Sequence, residues 1–432
     1  MSAITASIKS IMVEINTLSL LRRSSVARRM LFYVSLSGVL YGAMQFGEVI
    51  ARKSLGATEF QVTLLTMVMP VASLTSIWWG QLLMGRDQRA ILWVGGTIGI
   101  FAVASGVFLG TVKHLFIIYF IYFISFALLG PARNRILQQH IPGKETGGLF
   151  GLSQGLRMGL AALISAGAGW WMDRVEGGWR QLFFSVAIVG FVSIASLASI
   201  RTKRNNRIQV DCRKNWVIGP WKGVVRLLKD RPDFLRFEGA FMLYGIAFMM
   251  MLPVVPIYLV DDLALGYGSI GIAKGTVFQL VTIGSIPLFG RLFDRSTPHR
   301  MAVGAFAFGA LHPLTLASAI WVDGAGRMVI VLLSFALFGI AMSGVTVLWN
   351  LASMRFAGQE EDAGLYQSVH LAAVGVRGLF APLFGYIVMQ GFGKQNALLV
   401  SSVVWILAAV AMVAARLKDQ RTGQNRSLRA VG

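Results

Sequence analysis

Apolar runs of about 20 residues recur along the whole chain, separated by short polar segments. Each run is long enough to cross a hydrocarbon layer about 30 Å thick as a helix. The pattern predicts an all-α polytopic membrane protein with twelve spans. The predicted spans are 30–51, 58–83, 90–110, 114–137, 146–172, 179–200, 237–260, 267–290, 300–321, 327–351, 363–390 and 395–416.

A long polar segment divides these spans into two sets of six. The predicted organisation is an N-terminal segment 1–29, a bundle 30–200, a basic central loop 201–236, a second bundle 237–416 and a tail 417–432. Within the central loop, "GPWKGVVRLLKDRPDF" places apolar residues on one helical face and basic residues around it. We expect a short helix there, lying on the inner membrane surface.

Composition and charge agree with a membrane protein. Hydrophobic residues make up 55% of the chain and charged residues 14%, against about 25% charged in a soluble domain. A net charge of +21 would also suit nucleic-acid binding. However, when a basic residue at a span end is counted with the adjoining loop, three of the 40 Lys and Arg residues remain inside predicted spans. Seven lie on one side of the membrane: Arg52, Lys53, Lys113, Arg174, Arg180, Arg327 and Lys394.

The remaining Lys and Arg residues fall on the opposite side, together with both termini. Cytoplasmic loops accumulate Lys and Arg, so both termini are predicted to be cytoplasmic. This distribution removes the need for a nucleic-acid partner. We expect the lipid bilayer as partner, a monomer or loose oligomer, and a bacterial inner membrane or a membrane derived from it.

Two comparisons within the chain indicate an internal repeat. At an offset of 216 residues, "GGLFGLSQGLRMG" from 147 aligns with "AGLYQSVHLAAVG" from 363, and Asn134 falls on Asn350. At a similar offset of 210, "GQLLMGRDQR" from Gly80 aligns with "GRLFDRSTPHR" from Gly290. Each of the latter ends the second span of its half. The repeat predicts two pseudo-symmetric six-helix bundles.

These loop sequences resemble those of the major facilitator superfamily, in which Gly-x-Leu-x-Asp-Arg and a basic cluster follow the second span and, less strongly, the eighth. The second copy here keeps Gly290, Leu292, Asp294, Arg295 and Arg300. The first copy keeps Gly80 and Leu82, has Met84 in place of Asp, and continues with Arg86, Asp87 and Arg89. The segment "GWWMDRVEGGWRQLFF" also resembles the family's connection between spans five and six. The resemblance implies the fold of a secondary transporter.

The resemblance further implies that these two loops form a latch at the cytoplasmic face. A carboxylate at a helix end can pair with an arginine or face the N-terminus of a neighbouring helix. Asp294 and Arg295 would then favour the state in which that face is closed. The alternative is a solvated loop whose charges set topology alone.

Polar residues inside spans are the candidates for a central cavity. Their spacing places Tyr41, Gln45 and Glu48 on one stripe, Gln154 beside Arg157, His370 beside Arg377, and Asn134 and Asn350 at matching places in the two halves. Two arginines suggest an anionic or polar organic solute, because guanidinium binds carboxylate and phosphate in a bidentate manner. Alternatively, they bind helix carbonyls or Glu48. His370 is a candidate proton-linked group.

The sequence indicates a transporter and neither an enzyme nor an ATP-driven pump. No phosphate-binding loop, catalytic triad or metal-ligand spacing stands out, and no cofactor or metal site is expected. The predicted function is secondary transport of a small solute by alternating access, driven by protons or another ion. Transport of a metal such as iron or its chelate, and a non-transporting membrane scaffold, stay open as alternatives.

Overall fold

The computed structural model describes residues 17–83, 86–141, 143–202, 219–357 and 363–431, and the regular structure within these ranges is helical. Its helices are α1 Ser25–Met44, α2 Gly47–Lys53, α3 Glu59–Ser73, α4 Ser76–Leu83, α5 Arg89–Ala104, α6 Val112–His140, α7 Gly143–Arg174, α8 Gly178–Ala198, α9 Gly219–Asp230, α10 Pro232–Ile257, α11 Tyr267–Ile270, α12 Phe278–Arg295, α13 Pro298–Ser318, α14 Gly324–Ala357, α15 Ala363–Phe392 and α16 Lys394–Val431. Two π-helical turns, Tyr258–Asp262 and Gly271–Val277, extend α10 and join α11 to α12.

Eleven helical stretches in the described ranges are long and apolar enough to cross a membrane. The predicted second span is not among these stretches; in the structure it consists of α3 and α4, which residues 74–75 separate. Counted as one interrupted span, the two helices bring the total to the predicted twelve. The all-helical membrane fold is confirmed, and the count of twelve is consistent with it.

The interruption in the second span follows Pro70, which lies inside α3. Proline lacks the N–H that an α-helix requires and its ring crowds the preceding turn. The helix stops three residues later, and the Leu74 N–H bonds to Val71 in a tighter turn. Two glycines of α15, Gly375 and Gly378, lie directly against Leu74 and Pro70, where a Cβ would overlap those side chains.

The contacts divide the chain into two compact units. Unit 1 comprises the described residues of Met1–Gly47 and Thr75–Asp211; unit 2 comprises those of Glu48–Leu74 and Cys212–Gly432. The segment Glu48–Leu74, which holds α3, therefore belongs to unit 2 although it comes from the first half of the sequence. The domain boundaries expected from the sequence stay a prediction.

Helices at equivalent positions pair in the same way in both units. In unit 1, α1 packs on α7 and α8, and α5 packs on α6 and α8. In unit 2, α10 packs on α15 and α16, and α13 packs on α14 and α16. These are the pairs that the repeat equates, so the packing has the pseudo-symmetry that the sequence repeat predicts.

Close helix contact in unit 1 depends on small residues. Gly38 and Gly42, four residues apart on α1, face the backbone of α7 at Arg157 and Ala161, where a Cβ would overlap a carbonyl oxygen. The Ser165 hydroxyl donates to the Gly42 carbonyl at 3.1 Å across the same contact. Small residues spaced in this manner let membrane helices approach closely.

The amphipathic helix of the central loop exists as α9, but its apolar face packs on protein. Val224, Leu227 and Leu228 contact a buried cluster of Phe234, Tyr366 and Val369. Placement of this helix on the inner membrane surface stays a prediction. Val225 is exposed. Aromatic side chains at the start of α10 and α15 provide a docking surface that the helix's own sequence does not reveal.

Candidate functional site

Arg157 lies on α7 beside the residues that the sequence predicted. Its guanidinium stands 4.5 Å from the centre of the Tyr41 ring on α1, a cation–π contact. Its Nη1 donates to Gln154 Oε1 at 3.4 Å. All three side chains are half-buried. Within the described residues, no carboxylate pairs with Arg157.

Arg133, on α6, is a second intramembrane cation of unit 1 that the sequence reasoning did not single out. It lines a small cavity together with Ser153, Gln154 and apolar residues of α1 and α7. Its Nε is buried and has no hydrogen-bond partner among the described residues. Its place near the end of a span made it resemble a loop charge, and only the tertiary fold brings it beside Gln154.

Three tyrosines accompany these cations. Tyr33 interacts electrostatically with both Arg133 and Arg157, and Tyr122 with Arg157. Tyr33, Tyr122 and Ser37 also line a second cavity between α1, α5, α6 and α8. We call Arg133, Arg157, Tyr33, Tyr41 and Tyr122 the arginine–tyrosine cluster.

In unit 2, His370 lies in hydrogen-bond contact with Glu238. His370 Nδ1 lies 2.8 Å from Glu238 Oε1, and both residues are 4% exposed. The rings of Trp349 and Phe241 pack edge-on against the imidazole, with centroids 4.4 and 5.0 Å away. His370 was predicted as a candidate, whereas Glu238 was not among the candidates because it lies near the start of its predicted span.

Arg377 lies seven residues beyond His370 on α15, and it is 1% exposed. Its Nη1 donates to the Phe241 carbonyl at 3.1 Å, and its guanidinium lies 5.1 Å from the Tyr244 ring. Gly245 leaves the space that the guanidinium fills, since a Cβ there would overlap it. These contacts match the alternative in which the arginine binds a helix carbonyl; substrate contact by Arg377 stays a prediction.

Glu48 pairs with Lys274, whose Nζ lies 3.1 Å from Glu48 Oε2. Lys274 belongs to the π-helical turn Gly271–Val277. Such turns are rare, and they occur frequently at functional sites. Both side chains are about one-fifth exposed. The predicted acid therefore has a cationic partner in unit 2, which the sequence spacing could not identify.

A network of ion pairs surrounds Asp261 in the same unit. Arg52 Nε and Nη2 donate to the Asp261 carboxylate at 2.9 and 2.6 Å. Lys394 lies 3.6 Å from Asp261 and 3.0 Å from Asp262. Arg52 also donates to the Ala57 carbonyl at 2.7 Å. We call Arg52, Asp261, Asp262 and Lys394 the Asp261 network.

The contacts of the remaining predicted cavity residues do not indicate a function. Gln45 directly follows α1, and its N–H bonds to the Tyr41 carbonyl. Asn350 is exposed, and its Nδ2 donates to Thr346 one turn earlier at 2.7 Å. Asn134 lies on α6, but its side chain is outside the described part of the chain. A role of these three residues in a cavity stays a prediction.

The first predicted latch loop is stabilised by a local pair. Arg89 Nε donates to Asp87 Oδ2 at 2.9 Å, and the Arg89 N–H donates to Asp87 Oδ1 at 3.2 Å. The bond from the guanidinium holds the pKa of Asp87 below its usual value. This pair therefore persists while pH falls through the range in which an ordinary aspartate protonates, and is lost as pH falls through the lowered pKa.

The other predicted latch residues do not establish a latch. Arg86, Arg295 and Arg300 are exposed. Gly80 lies in α4 and Gly290 in α12. Asp294 lies in the last turn of α12, but its side chain is outside the described residues. The latch stays a prediction.

Metal coordination receives no support from the part of the chain that is described. No group of three or more His, Cys, Asp or Glu side chains there could hold a metal ion.

Comparison with known structures agrees with this fold. A POT family transporter in complex with 5-aminolevulinic acid superposes with a TM-score of 0.74 at 13% identity, covering 90% of this chain and 95% of that one. The nucleoside transporter NupG gives a TM-score of 0.66 at 13% identity, covering 90% and 100%. A D-xylose-proton symporter gives 0.65 at 14% identity, covering 92% and 97%. At these identities the likeness shows the fold alone.

Sequence comparison identifies the family. Among curated protein sequences, none matches this chain significantly. The sequence profile of the Major Facilitator Superfamily matches residues 155–369 and 239–430, which together cover more than half of the chain. The fold, the paired helix packing and this match agree, and the chain belongs to the major facilitator superfamily of membrane transporters.

Proposed function

We propose that this protein is a secondary active transporter that moves a small polar or anionic organic solute by alternating access, with protons as the coupling ion. Both termini would lie on the cytoplasmic side of a bacterial inner membrane. Membership of the superfamily supports transport. The polar groups held inside the spans support the choice of solute and coupling ion.

The observation that carries the proposal is the buried pair of Glu238 and His370. A carboxylate and an imidazole 2.8 Å apart can hold one proton or two, and the net charge of the pair changes with the number held. Burial of both groups makes that charge expensive without a partner. Arg377 and Tyr244 are ionisable groups packed around the same part of α10 and α15. Tyr366, one turn before His370 on α15, accepts from Arg231 at 2.5 Å. Proton binding would therefore change the stability of the packing between these helices.

The solute class is supported by Arg157. An arginine inside a span is normally paired or functional. Here its neighbours are the Tyr41 ring and the Gln154 amide, both neutral. A carboxylate or phosphate group on a solute would complete its coordination.

Reconstituted vesicles test the proposal. Uptake of a library of labelled organic acids, sugars and amino acids would be measured with an inward proton gradient, and again after a proton ionophore. We expect gradient-driven accumulation of at least one solute that the ionophore abolishes. His370→Gln should remove accumulation above equilibrium while exchange of solute across the membrane continues.

His312→Gln is the matched control. His312 is 1% exposed in the same unit, and its ring bonds to Ser334 instead of a carboxylate. Transport by the His312→Gln variant should still depend on the proton gradient. Absence of any solute movement across the library would contradict the transport proposal and favour the scaffold alternative. Transport that His370→Gln leaves fully proton-driven would refute the coupling role of the pair.

A further inference from the structure

Among the described residues of unit 1, no carboxylate provides a counter-charge for the two cations Arg133 and Arg157. The described carboxylates of that unit all lie at or beyond helix ends: Asp87, Glu145, Asp173 and Glu176. Asp87 pairs with Arg89, and Glu145 pairs with Arg23. Among the described residues, no ion pair reaches either Arg133 or Arg157.

Such an arrangement is costly in a membrane span. Removing a cation from water without a paired anion carries a large desolvation penalty, and a guanidinium cannot escape by losing its proton. The unpartnered, buried Nε of Arg133 adds an unsatisfied donor. Arg377 in unit 2 differs, since it lies between a helix carbonyl and an aromatic ring in a space shaped for it.

A small cavity adjoins Arg133 and Gln154. The cavity beside Arg133 is lined by Ser153 and Gln154, and otherwise by apolar side chains. Gln154 accepts from Arg157, so this one amide adjoins both the cavity and the second arginine. The Tyr41 ring beside Arg157 and the apolar side chains beside Arg133 could contact the carbon atoms of a bound solute.

We propose that Arg133 and Arg157 form a two-cation site for a small organic oxyanion, whose carboxylate or phosphate oxygens accept from the guanidinium groups. Gln154 and Ser153 complete the polar wall, and Tyr41 and the apolar lining hold the carbon part. Planar guanidinium groups match the geometry of both kinds of oxyanion. The inference rests on the proposed function, because the bound anion is the transported solute, and it adds Arg133 as a substrate-binding residue.

Binding to the purified full-length protein tests the site directly. The probes are inorganic phosphate and succinate, each compared with sodium chloride at equal ionic strength, and the measurement is the apparent melting temperature in detergent. A ligand that binds the folded state raises this temperature in a concentration-dependent manner. We expect at least one probe to do so with the wild type. Arg133→Met and Arg157→Met should each weaken the response about tenfold or more.

Two further results distinguish a binding site from a structural one. Without any probe, Arg133→Met should melt at the same or a higher temperature than the wild type, because it removes an uncompensated charge. Arg135→Met is the control on the same helix: Arg135 donates to the Leu83 carbonyl, and its removal should leave the response to the probes intact.

Other outcomes overturn the inference. The inference is wrong if neither probe raises the melting temperature more than sodium chloride does, or if Arg133→Met responds to the probes as the wild type does. It is also wrong if ligand-free Arg133→Met is much less stable than the wild type. Vesicle transport measured in parallel separates the two proposals. Solute transport that survives Arg133→Met refutes the two-cation site alone, whereas anion binding without transport of any solute refutes the proposed function alone.

Discussion

Arginines 157 and 377 have different surroundings, although the side chain is the same. Both lie inside spans and both contact an aromatic ring. Arg377 is fully enclosed and bonded to a backbone carbonyl, whereas Arg157 is half-buried between neutral groups. We therefore expect a structural role for Arg377, whereas ligand binding by Arg157 belongs to the function proposed above.

Alanine substitution at these two positions should give opposite results. Arg377→Ala removes a large, fully buried side chain, a change that costs about 2–5 kcal/mol, and we expect a fall of several degrees in the apparent melting temperature. Arg157→Ala should alter that temperature far less and abolish transport. Thermal unfolding and vesicle uptake of both variants, side by side, check this. A stable, active Arg377→Ala would contradict the structural role of that residue.

The residues of the candidate site that follow helical spacing within one span could be predicted from the sequence. Tyr41, Gln154 and Arg157 follow from helical spacing, and the structure brings them into contact. Glu238, Lys274 and Arg133 could not be identified from spacing. Each lies near a span end, where charged side chains are ordinarily exposed to water. Their importance depends on partners from distant helices, and a single sequence carries no signal for such pairing.

At the level of helices, the contact between α1 and α7 determines where Arg157 lies. Gly38 packs on the backbone of Arg157 itself. Any side chain at position 38 must push α7 away from α1, and this would move the guanidinium relative to the Tyr41 ring. The geometry of the arginine–tyrosine cluster therefore depends on a residue that carries no functional group.

Gly38→Ala should consequently impair both stability and binding. Overpacking of a close contact costs about 1–3 kcal/mol. We expect a lower apparent melting temperature and a weaker response to anions. Gly159→Ala, on α7, is the control, because a Cβ there meets no atom within 4 Å. If the two variants behave alike, the close approach at Gly38 does not control the site.

The helices themselves were largely predictable from length and hydrophobicity. Predicted and observed ends agree within a few residues for spans such as 179–200, observed as Gly178–Ala198. The interruption after Ser73 was not predicted, although Pro70 was visible in the sequence. Many membrane helices accommodate an internal proline, as α10 does twice, so a proline alone does not predict a break.

At the scale of the whole molecule, the Asp261 network joins segments far apart in the sequence. Arg52 belongs to the first half of the chain, while Asp261 and Lys394 belong to the second. Because Arg52 also bonds to the Ala57 carbonyl, the network holds the connection between α2 and α3 in place.

Removing the central charge should loosen that connection. We expect Asp261→Asn to increase amide hydrogen exchange in residues 52–58, because Arg52 loses its anionic partner. Asp323→Asn is the control, since Asp323 is highly exposed and pairs with Arg327 within four residues. Hydrogen exchange followed by mass spectrometry would measure both variants. Unchanged exchange in Asp261→Asn would show that the network does not restrain this segment.

The membership of α3 in unit 2 has a consequence for biosynthesis. The glycines that receive Pro70 and Leu74 lie roughly 300 residues further along the chain, a stretch that takes on the order of 15–60 s to synthesise. During that time α3 is in the membrane without its final neighbours. This helix would therefore need temporary protection by lipid, by the insertion machinery or by other early helices. Premature termination before α15 would leave an early span without its native contacts and mark the fragment for quality control.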